Sequence, residues 1–324
     1  MVLDIRGSLK NTKLSQNIYV FVEELLANAI DSFLIRSHEN TLVSDLDVRF
    51  TIRFIERDLV GDELDLILSC TDNGFGFGDQ QTKAFVTKDT SYKDDLKIEG
   101  IGQCKGLGRI QFLHHFEEMS IESVFEKEGE RHRRTLSHGN DAKEISIDSF
   151  ETDNSSSPVY TTISLKRLRD DIYNKRFNNR DLEEIFSAKS LKRHIIVSTL
   201  QRFVSLKEKL GDFTIGIATQ KEVHYRDDLE AVEKITKEDL PDHEAIKSVK
   251  VLLRDRQGNK TDKETEFRIT QFKLDEKEFS LSKNIISLCA QSSIVQDITK
   301  RYLKTGAIEN NPVSGYYHLI FIES

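Results

Sequence analysis

The chain has 324 residues, 37% of them apolar and 31% charged, with a formal net charge of −8. That length is generous for one compact unit and comfortable for two domains, and the apolar fraction supports a core under a polar surface. So acidic a chain excludes nucleic-acid binding through overall charge, although not through a local basic patch.

Residues 15 to 36 read as one helix, with Val20, Phe21, Leu25, Ala29 and Phe33 on its apolar side. Glu24, Asn28 and Asp31 follow at spacings of four and three, which lays three polar groups along one stripe of that helix. "LDVRFTIRFIE" and "ELDLILSCTD" are predicted strands of a hairpin, bounded by "VGDE". "NGFGFGDQ" breaks the pattern, and residues 79 to 99 are polar with weak periodicity. "GIGQCKGLGRIQFLHHF" reads as a glycine-rich loop running into a helix, followed by strands at "EMSIESVFEK", "EISIDSF" and "YTTISLKRL". The charged stretch "RDDIYNKRFNNRD" marks the domain break, so the expected division is residues 1–168, a linker over 169–185, and a second domain over 186–324.

The second half opens on a predicted long helix, residues 181 to 210. Strands follow at "DFTIGIAT", "SVKVLLRD", "FRITQFKL", "NIISLCA" and "YYHLIFIE", with an acidic, breaker-containing segment around "EKITKEDLPDHEA". The final alternating run ends abruptly, and the chain is read as the N-terminal part of a longer protein. Cys70, Cys104 and Cys289 lie far apart with no CxxC pair, which argues against a disulfide framework or structural zinc and for a reducing, cytoplasmic setting. No apolar run has signal-peptide or membrane-spanning length, so no membrane role is expected.

Three segments, "EELLANAID", "DNGFGFG" and "GIGQCKGLGR", meet in order the demands of holding ATP. A buried acid such as Asp72 accepts from the adenine amino group, and Gly74 and Gly76 let backbone pass close to the base. A glycine-rich loop entering a helix offers backbone N–H groups to phosphates. Asn28 supplies a side-chain oxygen for magnesium, and Glu24, one turn away, a carboxylate to orient or deprotonate water. Taken singly each motif is most often a turn, a tight loop or a solvated helix edge. "GQCKGLG" fits neither the Walker pattern nor a strand-led dinucleotide fingerprint.

As a set the motifs resemble those of the GHKL ATPases, the superfamily of gyrase, the ninety-kilodalton heat-shock chaperone, histidine kinases and MutL. The resemblance covers roughly residues 10 to 168. It implies a Bergerat-type α+β fold, a two-layer α/β sandwich with a mixed sheet, followed by a smaller β/α transducer-like domain. "EELLANAID" is similar to ExxxNxxD, which implies Glu24 as general base, Asn28 as the Mg2+ ligand and Asp31 as a helper near the nucleotide. "DNGFG" matches DxGxG, so Asp72 would bind adenine, with Gly74 and Gly76 shaping the pocket. "GIGQCKGLG" resembles the glycine-rich lid, in which Gly102, Gly106, Leu107 and Gly108 would cradle phosphates and Lys105 reach one of them. "TTISL" resembles the last motif and implies Thr161 on the adenine side, although Tyr160 stands where the family usually has glycine. "TKDTSYKDD" resembles an element of MORC-like relatives, which would bring Ser91 or Lys93 to phosphate. "KNIISLCAQSSIVQDITKRYL" is similar to a strand, turn and helix of the MutL-type transducer.

The resemblance implies ATP and Mg2+ as cofactors, slow hydrolysis, and an ATP-dependent homodimer in which residues 1 to 15 cross to the partner and residues 79 to 108 close over the phosphates. An ATP-gated adaptor that scarcely hydrolyses, controlling an effector region, stays open beside it. A histidine kinase is disfavoured because little sequence precedes the first long helix. DNA transactions, chaperone work and antiviral defence remain open as settings. "ERHRRTL" and "LKRLRDDIYNKRFNNR" are the candidate nucleic-acid patches, and His114 and His115 are read as helix-flanking rather than catalytic.

Overall fold

A computed structural model describes residues 2–39, 45–56, 64–88, 90–101, 108–139, 142–177, 181–223, 226–254, 257–279, 281, 283–290, 293–303 and 309–323. The fold is α+β with large mixed sheets. The chain divides into two compact units, residues 1–192 with 208–236, and residues 193–207 with 237–324.

The first unit opens with β1 (Val2–Asp4) and α1 (Ile5–Asn11). The long helix α2 (Val20–Glu39) follows, then the hairpin of β2 (Asp47–Glu56) and β3 (Leu64–Asp72). Helices α3 (Asp79–Val86), α4 (Tyr92–Asp95) and α5 (Gly108–His115) lead to β4 (Phe116–Lys127) and β5 (Glu130–His138). The short β6 (Glu144–Ser146) and β7 (Phe150–Asn154) precede β8 (Tyr160–Leu168). Then come α6 (Asp170–Ile172), α7 (Leu182–Ile185), α8 (Ala188–Ser205), whose residues from 193 onward belong to the second unit, and α9 (Lys207–Leu210), and finally β9 (Thr214–Val223) and β10 (Arg226–Ile235). Eight strands form one sheet in the order β10-β9-β2-β3-β8-β4-β5-β7.

The domain boundary therefore differs from the expected one. β9 pairs in parallel with β2, Val48 opposite Ile215, and β10 pairs antiparallel on β9's other edge. A segment predicted for the second domain thus completes the first sheet. Local spacing does not reveal this, because a parallel partner returns only after a long crossover.

The inward residues of β2 and β3 alternate, Val48, Phe50, Ile52 and Phe54 against Leu66, Leu68 and Cys70. Helix α2 buries Phe21, Leu25, Ala29 and Phe33, and Phe21 meets Phe116 edge-on at 5.0 Å and stacks on Phe186 at 5.6 Å. It starts later than predicted, because the side chains of Ser15 and Asn17 accept the backbone N–H groups of Asn17 and Tyr19 and hold that stretch in turns. The predicted helix at 181 to 210 is interrupted twice. The breaks fall at residues 186–187 and at 206; at the first, Ser187 Oγ accepts from the Ser190 N–H and gives α8 its own N-terminal cap.

The second unit carries β11 (His243–Arg254), β12 (Lys260–Asp275), α10 (Glu276–Phe279), β13 (Ile285–Ala290), β14 (Ser293–Asp297), α11 (Thr299–Tyr302) and β15 (Tyr316–Glu323). Its sheet runs β11-β12-β15-β13-β14, and Phe272, Leu274, Cys289, Leu319 and Phe321 pack on Leu200. The segment expected as strand, turn and helix is two strands and a four-residue helix. Among the described residues no helix is long and apolar enough to cross a membrane.

Candidate functional site

Strand β3 continues its inward register, Leu66, Leu68, Cys70, to an acid at Asp72. A carboxyl at an apolar position of an alternating strand is costly unless something meets it. Asp72 is 8% exposed, and its Oδ1 accepts from the Gly74 N–H at 2.8 Å, while Oδ2 has no hydrogen-bond partner among the described residues. Burial pushes its carboxyl up to about 7, against the opposing pull of the Gly74 N–H and the Arg36 guanidinium. Burial, with the Asp72 charge adding to it, also drives the Cys70 thiol well above its ordinary range.

Asp72 lies directly opposite Thr161 across the β3–β8 ladder. Thr161 Oγ1 is 2.9 Å from Ser123 Oγ, which also accepts the Phe77 N–H at 2.9 Å and is fully buried. Helix α2 faces this pair with Leu25, Asn28 and Ser32. Together with Cys70, Phe77 and Ile163 they enclose a cavity of about 40 Å³. That is room for about three waters, so an adenine ring enters only if the walls move apart.

The glycines have local reasons. A Cβ at Gly74 would lie 2.6 Å from Ser32 Cβ, and Phe75 N–H already donates to Ser32 Oγ at 2.9 Å. Gly76 has φ +84°, and a Cβ there would stand 2.7 Å from the Val124 carbonyl oxygen. The turn after β3 is thus pressed against α2 on one side and β4 on the other.

Further along α2, Asp31 is 4% exposed. Lys93 of α4 donates to Asn28 Oδ1 at 2.7 Å and to Asp31 Oδ2 at 2.6 Å. Oxygen donors of this kind suit a hard cation, and here an ammonium stands on them. No cluster of three His, Cys, Asp or Glu side chains among the described residues makes a metal cage, so a magnesium ion at Asn28 would take most of its ligands from phosphate and water. The donor set fits Mg2+ on those terms. Glu24, one turn before Asn28, turns to the start of α5, where a Cβ at Gly108 would lie 3.0 Å from Glu24 Cδ.

Sequence reasoning therefore names Asn28, Asp31, Asp72, Gly74, Gly76, Lys93 and Thr161, and the fold brings all seven to one side of α2 and its facing strands. Glu24 and Gly108 form the neighbouring contact. Ser91 does not join them: it is exposed and its hydroxyl donates to Asp95 Oδ2 at 2.8 Å. Gly102, Lys105, Gly106 and Leu107 lie outside the described residues. Ser32, Cys70 and Ser123 were not anticipated. Ser32 extends the Glu24–Asn28 line by another four residues and Cys70 precedes Asp72 by two, so both were readable from spacing. Nothing local marks Ser123.

His114 and His115 are structural. One ring nitrogen of each meets a backbone carbonyl, Thr12 and Gln111 respectively, and burial holds both pKa values below the usual imidazole range. Many arginines of the two basic stretches are engaged internally: Arg134 bonds Asp79 and the Phe77 carbonyl, Arg133 bonds Glu122, Arg169 the Leu113 carbonyl and Arg176 the Ser15 carbonyl. Residues 2–4 pair as β1 with β6 of the same chain.

No family model and no curated protein matches the chain. A solved structure described as "Crystal Structure of N terminal domain of a DNA repair protein" is similar to it at 11% identity, over 98% of this chain and 86% of that one, with a TM-score of 0.48.

Proposed function

We propose that the chain is a GHKL-type ATPase module that binds Mg·ATP on α2 and β3 and uses the nucleotide as a dimerisation switch. One observation carries the reading. Asn28, Asp72 and Thr161, from three separate stretches of sequence, line a single cavity in which a buried carboxyl keeps one oxygen without a hydrogen-bond partner among the described residues. Such an oxygen is suited to an amino group that enters the cavity. Asp72 accepts from the adenine amine, Asn28 holds the metal, and Glu24 orients the attacking water. Held at Asn28, Mg2+ would supply neutralisation of the phosphate charge and polarisation of the terminal phosphoryl group.

Glu24 contacts Gly108 and is not among the residues lining the cavity. That favours a second reading, in which ATP is bound and held with negligible hydrolysis while the protein gates a partner or effector. Steady-state hydrolysis beside calorimetry separates the two. In the ATPase reading Glu24→Ala binds Mg·ATP and does not hydrolyse it, and Asn28→Ala loses Mg2+-dependent binding. Full hydrolysis in both variants refutes the assignment. Wild-type turnover no faster than Glu24→Ala, beside tight binding and nucleotide-dependent dimers, supports the adaptor.

A further inference from the structure

Lys93 is placed where a metal ion and an ammonium compete. Its Nζ donates to Asn28 Oδ1 at 2.7 Å and Asp31 Oδ2 at 2.6 Å, with side-chain exposures of 20% for the lysine and 5% for Asp31. A Mg2+ ion on Asn28 would need the same amide oxygen, and two cations packed that closely repel. Whichever holds the oxygens excludes the other.

The segment that carries Lys93 lies on the surface. None of the four residues of α4 is buried. Tyr92 OH accepts from Gln81 Nε2 at 2.6 Å, while Tyr92 N–H donates to Thr90 Oγ1 and Ser91 Oγ to Asp95 Oδ2 within the segment. The Lys93 ammonium ties α4 to α2, with a buried acid as its anchor. Losing that tie uncovers no apolar core, so the segment can leave without unfolding the unit.

We propose that Lys93 is a latch that occupies the cation position in the nucleotide-free protein, and that the metal of bound Mg·ATP displaces it and frees residues 90–95. The displacement half rests on the nucleotide reading above; the latch half does not.

Hydrogen exchange of the amides of residues 91–95 tests both halves. Without nucleotide, Lys93→Met exchanges there at least tenfold faster than wild type, and Lys93→Arg, which keeps the charge, stays within a few-fold of wild type. Mg·ATP raises wild-type exchange to the Lys93→Met level, and ATP with EDTA does not. Equal exchange in nucleotide-free wild type and Lys93→Met overturns the latch, whatever ATP does. Calorimetric binding of Mg·ATP with unchanged protection at 91–95 overturns the displacement. Absence of Mg·ATP binding, beside fast exchange in Lys93→Met, overturns the nucleotide reading and the displacement together and leaves the latch standing.

Discussion

Replacing Asp72 by asparagine tests the central cavity without any ligand. The carboxyl is raised from 3.8 to about 7 by burial, net of what the Gly74 N–H and Arg36 return to it. The folded state therefore favours the neutral form. Its contribution to stability is complete below the unfolded pKa near 3.8 and is lost as pH rises through about 7. At about 1.36 kcal/mol per pKa unit, the full loss is about 4 kcal/mol, and about 3 kcal/mol of it falls between pH 5 and pH 8. Asparagine keeps an oxygen for the Gly74 N–H and carries no charge, so Asp72→Asn escapes that loss. Urea unfolding at a series of pH values measures it, followed by circular dichroism because the chain has no tryptophan. The stability of the variant relative to wild type should climb by about 3 kcal/mol from pH 5 to pH 8. His114, His115 and His138, lowered by burial, lose stability in the opposite direction as pH falls, but they act equally in both proteins and cancel in the difference. Parallel curves for wild type and variant would refute the claim that Asp72 sits desolvated in the cavity.

Gly76→Ala forces a Cβ onto the Val124 carbonyl at positive φ, and should lower stability by about 1–3 kcal/mol, read as a fall in thermal midpoint. Phe272→Ala in the second unit removes a ring that is 1% exposed and should cost about 3–5 kcal/mol in urea, leaving nucleotide binding on the first unit intact. Thr161→Val removes the hydroxyl that meets Ser123 Oγ at 2.9 Å and leaves that buried group one partner short. A loss of about 1–3 kcal/mol is expected, and equal urea midpoints would show that the Ser123 network adds nothing.

What was legible depended on the distance over which each cause acts. The hairpin of β2 and β3 is visible because Val48 to Phe54 and Leu66 to Cys70 alternate over their whole length. The stripe of α2 is visible because a helix brings residues four apart together. Strand β5 hides, because its inward positions include Arg134 and His138. Arg134 is tolerated there by its bonds to Asp79 and Thr82 and by the Phe125 ring 4.6 Å from its guanidinium, none of them sequence neighbours. The parallel pairing of β9 with β2, and so the true limits of the first unit, likewise depends on contact between segments far apart in the chain. In the site, Asp72, Asn28 and Thr161 were legible as motif positions, whereas the Lys93 tie to Asn28 and Asp31 needed the fold to show that a phosphate-side candidate stands on the metal-side oxygens.

Isothermal titration of the folded protein with Mg·ATP reaches the central claim most directly. Wild type should show saturable heat at one site per chain. At pH 8, where the carboxyl is ionised, Asp72→Asn, verified as folded, should bind about 10–100-fold more weakly, the worth of a hydrogen bond to a charged acceptor. No heat from folded wild type, or equal affinity in the two proteins, would contradict the account.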